Sequence, residues 1–146
     1  MYNALSHMHS GLRWIALILL IFAIFNAVTR KKTGLYEKKD KLINLFTMIS
    51  LHIQLLTGLI LYFISPKVHF VEGWMKEASN RFYGMEHILM MVISIVLVTI
   101  GRKKAEKLDA PISKHKKIIT FFVLALVLIL AGIPWPFRTE LGGQWF

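Results

Sequence analysis

Three histidines, His9, His52 and His87, stand in stretches that are otherwise almost wholly apolar: "SHMHSGLRW", "ISLHIQLLTGLILYF" and "GMEHILMMVISIVLV". An imidazole moved into hydrocarbon carries a heavy penalty unless its ring nitrogens find partners. Haem iron is one such partner, because two imidazoles on facing helices take the two axial positions of a b-type haem. A haem also carries two propionates, which want cations near a water interface. Arg13, Arg81 and Arg138 lie towards that end of their segments. Arg13 needs a partner of its own at its depth, and Glu86 is the protein candidate. Met91 and Ser94 fall on one helical stripe with His87, Gly84 and Gly101, so they would border the same group.

The elements that must position these side chains are helices. The chain has 146 residues, 55% of them hydrophobic, with a mean hydropathy of +0.56, which points to an integral membrane protein. Cysteine is absent, which excludes disulfides, thiolate metal sites, iron–sulfur clusters and c-type haem attachment. Four apolar stretches each approach the roughly 20 residues needed to cross a bilayer, and backbone in lipid must be helical. The expectation is an all-α, integral membrane four-helix bundle of up-down-up-down plan. Residues 1–146 form one domain, with helices at roughly 9–30, 40–65, 81–102 and 112–137. The N-terminus lacks a basic region ahead of its first apolar run, so that run is expected to stay as a span.

Charge gives the orientation. Of 18 Lys and Arg, six lie in "RKKTGLYEKKDK" and seven in "GRKKAEKLDAPISKHKK", thirteen in all. Both basic loops are therefore expected on the cytoplasmic side of a bacterial inner membrane, with the N- and C-termini outside. The formal charge of +10 reflects this topology and attraction to anionic lipid, and no nucleic-acid partner is expected. Pro66 closes helix two, Pro111 opens helix four, and Pro134 and Pro136 end it. Trp14, Trp74, Trp135 and Trp145 all fall at the outer interface.

Counting about 1.5 Å per residue from the nearest cytoplasmic basic residue places His9 at roughly 31 Å, Arg13 at 25 Å, His87 at 22 Å and His52 at 16 Å. His52 with His87 is the best depth match for axial ligands, and His9 with His87 is next. His52 with Met90 or Met91 is a further pairing. Each residue also has a plainer reading. His52 and Gln54 serve as interhelical hydrogen-bond partners, His7 and His9 as interface residues, and His87 beside Glu86 as part of an interfacial ion pair. His69 and His115 read as solvated or as contacts to lipid headgroups. On helix two, Met48, His52, Leu55 and Leu59 share one face, and Gln54 lies opposite with Ser50 and Gly58.

The segments "HMHSGLRW", "LHIQLLTGLILYFISPKV", "MEHILMM", "KHKK" and "IPWPFR…WF" together resemble a family of small four-helix bacterial inner-membrane proteins labelled cytochrome b. The resemblance runs from His7 to Phe146. It implies a b-type haem held by histidines, carried residue by residue to His9, His52 and His87, and less directly to His7 and His115. In plan the chain is also distantly similar to cytochrome b561-type bundles, departing from them in lacking a clean histidine on helix four.

Two functions from different classes follow. In the first, a bis-histidine haem b passes electrons between a quinol and partner subunits of a respiratory complex. In the second, the chain is a cofactor-free accessory or scaffold subunit whose histidines only join helices. A weaker third is a proton or metal path through His9, Arg13, Glu86, His87 and His52. No nucleophile, general base or nucleotide motif is evident, so an enzyme acting alone is not expected.

Overall fold

Apolar stretches this long satisfy their main-chain groups by closing helical hydrogen bonds. In the computed structural model, which describes residues 1–145, they form four long helices. Helix α1 spans Tyr2–Thr33, α2 Lys38–Ile64, α3 Ala78–Glu106 and α4 Pro111–Gly132. All four are long and apolar enough to cross a membrane, and no strand occurs among the described residues. The chain is thus an all-α membrane protein. Phe146, the last residue of the expected domain and of the resemblance, lies outside the described residues.

Helix α1 begins at Tyr2, before the expected start, and ends where Gly34 turns left-handed at φ 67°. Reciprocal bonds between Glu37 and Asp40 cap α2. Pro111 opens α4 as expected, but the helix stops at Gly132 rather than at 137. Residues Pro134 and Pro136 supply no N–H to the carbonyls four positions back, so the ladder cannot continue.

The closest packings are α3 on α4 and α1 on α2, with α1 also against α4. Leu20, Ala23, Val98, Ile118, Phe122 and Ala125 are wholly buried where the helices meet. Gly101 brings α3 onto α4. A Cβ built there would lie 2.3 Å from the Cβ of Phe121.

The buried face of α2 is the polar one. Asp40, Asn44, Thr47, Leu51 and Thr57 turn inward, whereas Leu42, Phe46, Ile49, Ile53 and Leu56 are exposed. Lipid tails accept apolar side chains but offer no hydrogen bonds, so it is the polar stripe that must face protein.

At the end of the bundle bearing the basic loops, Asn26 donates to Asp40 Oδ1 at 2.8 Å. Arg30 pairs with both Glu37 and Asp40. Tyr36 donates to Glu106 Oε1 at 2.6 Å and accepts from Asn44 at 3.3 Å. Burial, together with that bond to Glu106, pushes the Tyr36 hydroxyl above the usual phenol range. His115 corrects the sequence reading. It is 1% exposed rather than solvated, and one ring nitrogen bonds the Leu35 carbonyl at 2.8 Å. The loop after α1 folds under α4, and that placement buries the ring.

Gly101→Ala tests the α3–α4 contact. Alanine gains about 1 kcal/mol of helix propensity, but overpacking a tight contact costs about 1–3 kcal/mol. Unfolding in detergent, followed by circular dichroism, should show a lowered midpoint.

Candidate functional site

Between the helices, at the end opposite the basic loops, lies a cavity of about 370 Å³. That is within the roughly 300–1,000 Å³ typical of small-molecule and cofactor sites. Its floor is apolar, built from side chains such as Ala16, Leu17, Leu51, Leu55, Met91 and Ile129. His9, Gln54 and His87 line it at mid-height, and Arg13 and Lys67 stand among its polar residues.

His87 is aimed by a proline on another element. The Gly132 carbonyl would take its helical bond from residue 136, but Pro136 has no N–H. His87 Nδ1 donates to that carbonyl at 2.7 Å instead. The same device appears two residues earlier: Pro134 leaves the Leu130 carbonyl free, and the Trp135 indole donates to it at 2.8 Å. With its proton on Nδ1, His87 keeps a lone pair on Nε2, and no hydrogen-bond partner for that atom occurs among the described residues. His87 follows directly on a wide turn of i→i+5 type at Phe82–Glu86. Such turns gather at functional sites. Here the turn's Gly84 carbonyl accepts the Tyr62 hydroxyl at 2.8 Å.

His9 is aimed by α2. Thr57 spends its hydroxyl proton on main-chain carbonyls of Ile53 or Gln54. Its oxygen is therefore the acceptor for His9 Nδ1, 3.2 Å away. Gln54 Nε2 donates to the His9 carbonyl at 2.9 Å and to the ring Nε2 at 3.3 Å. Gln54 Oε1 is buried with no partner. Gly58 makes room for the ring, since a Cβ there would lie 3.0 Å from His9 Cε1. The His9 and His87 ring centroids are 6.4 Å apart, with planes inclined at 74°.

The segment after α4 folds back across this end of the bundle. Tyr83 donates to the Leu141 carbonyl at 2.9 Å, and Lys67 to that of Gly142 at 3.1 Å. Arg13 donates to Trp145 O at 2.7 Å and to Gln144 O at 3.3 Å. The Trp14 indole donates to the same Trp145 oxygen at 3.1 Å. Trp14, Trp135 and Trp145 form a triangle with ring centroids 6.2–6.3 Å apart. Gly143 admits the close approach, because a Cβ there would come within 1.8 Å of the Pro134 carbonyl oxygen.

The candidates from the sequence divide clearly. His9, His87, Arg13 and Met91 meet at the cavity. His52 does not line it. Its Nδ1 bonds the Met48 carbonyl of its own helix at 2.8 Å, because α2 presents the Gln54 face inward. Arg81 binds Glu86 at 2.7 Å and the Met75 carbonyl, so Glu86 is not the partner of Arg13. Arg138 pairs with Glu140 and lies over the Phe82 ring at 5.0 Å. Ser94 is buried, with its hydroxyl on the Met90 carbonyl. Lys67, Thr57, Tyr83 and Gln144 escaped the sequence reading. The Gly142–Gly143 pair was a signal that this segment approaches another backbone closely.

Comparison with protein-family models, with curated proteins and with solved structures yields no match.

Gly143→Ala tests the fold-back. The added methyl meets a main-chain carbonyl that cannot give way, so the segment should lift away from Pro134. Indole fluorescence should then shift as the tryptophan triangle opens. Proteolysis near residues 139–145 should quicken, with helical content unchanged.

Proposed function

We propose that the cavity holds a haem b between His9 and His87 and that the protein is a membrane electron carrier. The observation that carries this reading is the pair of imidazoles on α1 and α3 facing across one cavity with centroids 6.4 Å apart. Two rings bonded to one metal through nitrogens about 2 Å away have centroids roughly 6 Å apart. Two imidazoles fall short of the four ligands a bare zinc ion takes, yet they complete iron already bound by a macrocycle. Both rings carry their proton on Nδ1, leaving Nε2 as the ligating atom.

His87 would bind iron, with the Gly132 carbonyl fixing its tautomer, and Thr57 would do the same for His9. Gln54 Nε2 would give up its long bond to the His9 ring and keep its bond to the His9 carbonyl. Arg13 and Lys67 would hold an anionic edge of the group. Neither has a carboxylate partner among the described residues, and both now bond main-chain carbonyls. The apolar floor would exclude water. When bound, the haem would supply one-electron redox chemistry.

The positive-inside rule supports a bundle of up-down-up-down plan in a bacterial inner membrane, with both termini outside. A quinol or partner subunits of a respiratory complex would then exchange electrons with it. The resemblance to the proteins labelled cytochrome b agrees with this reading. One observation favours the competing reading, a cofactor-free accessory subunit: both His9 ring nitrogens already have protein partners.

The visible spectrum decides between them. Protein expressed with ample haem should show a sharp Soret band and a b-type pyridine haemochrome. His87→Ala and His9→Ala should abolish or convert the band, and His52→Ala should leave it in place. A colourless, folded protein would overturn the proposal. Arg13→Gln with Lys67→Gln should make the midpoint potential more negative, because ferric iron is favoured once cations beside the site are removed. An unchanged potential would count against their role.

A further inference from the structure

On the lipid-facing side of the bundle, Leu19 and Phe22 of α1 and Leu42, Ile43 and Phe46 of α2 wall a second, apolar groove of about 360 Å³, with Lys38 and Lys39 at its end. Phe22 and Phe46 are 47% and 57% exposed, so their rings are open to an occupant from outside the chain. From Lys39 to Phe46 the groove runs about 10 Å along α2, roughly two-thirds of the depth of one leaflet's hydrocarbon.

The charges around it are unevenly spent. Glu37 and Asp40, the carboxylates nearest in sequence, are both taken by Arg30. Lys41 is paired with Glu106 at 3.7 Å. Lys38 and Lys39 are exposed, and neither has a carboxylate partner among the described residues. The surface thus offers two uncompensated ammonium groups directly above an apolar slot. Its complement has an anionic head and a hydrocarbon tail.

We infer that this groove is a specific site for an anionic phospholipid. The phosphate lies against Lys38 and Lys39, and one acyl chain lies along Phe22 and Phe46. Basic residues at the end of a membrane helix attract anionic headgroups, and here the slot adds a place for the chain. The site is distinct from the histidine cavity and does not depend on what that cavity holds.

The test uses the full chain in an uncharged detergent, supplied with equal amounts of phosphatidylglycerol and phosphatidylcholine bearing the same acyl chains. Bound lipid is counted by native mass spectrometry. The wild type should retain phosphatidylglycerol in preference. Lys38→Gln with Lys39→Gln should cut that preference by about tenfold or more. The control pair Lys103→Gln with Lys107→Gln, on the other basic loop, should leave it unchanged. Leu42→Trp, which fills the slot but keeps the charges, should lower retention of both lipids. Equal retention in the wild type, an equal fall in both lysine pairs, or a second copy of the chain seated on this face in place of lipid would overturn the inference. Circular dichroism confirms that each variant is folded.

Discussion

A main-chain carbonyl without a donor is costly in hydrocarbon, and Pro136 creates one at Gly132. Much of the arrangement around the cavity depends on how that carbonyl is satisfied. His87 reaches across from α3 and donates to it, so its tautomer and the direction of its free nitrogen are set by a proline 49 residues further along the chain. Pro134 imposes the same demand on Leu130, met by Trp135, which also anchors the aromatic triangle. The end of α4 is therefore both a stop signal and the scaffold of the site.

Beside this sits a constraint peculiar to bundles in lipid. In water, apolar side chains seek the core. In a bilayer they are equally at home outside, so the interior is marked by hydrogen bonding and small size. Helix α2 shows this plainly, with Asp40, Asn44 and Thr47 inside and Phe46, Ile49 and Ile53 outside. Thr47 donates back to main-chain carbonyls of α1 or its own helix, and Thr57 and Gln54 fasten α1 through His9. Glycines complete the logic at Gly58, Gly101 and Gly132, where another side chain occupies the space a Cβ would need.

The two ends of the bundle carry different chemistry. At the basic end, carboxylates, amides, Tyr36 and His115 close on one another around the loop after α1. At the other end, two imidazoles, Arg13 and Lys67 line one cavity, and among the described residues both cations bond main-chain carbonyls rather than carboxylates. Arg81 and Arg138, expected from the sequence on the same outer side as Arg13, are neutralised locally by Glu86 and Glu140. Local pairing is short-range and inexpensive in chain entropy, so it takes these arginines first.

Taken by itself, the sequence determined the helical class, the four spans and the prolines that end α4, because length, hydropathy and the missing proline N–H are local properties. Helical rise also placed His9, Arg13 and His87 in the outer half of the bundle, although by depth alone it favoured His52 over His9 as the partner of His87. Only the tertiary structure decided which face of α2 turns inward, and with it that His9 rather than His52 meets His87. It alone buried His115 and brought Lys67, Tyr83 and the segment after α4 to the cavity. The reason is physical: periodicity groups residues into faces, but in lipid both faces of a helix can be apolar enough, and the choice between them belongs to the partners that offer hydrogen bonds.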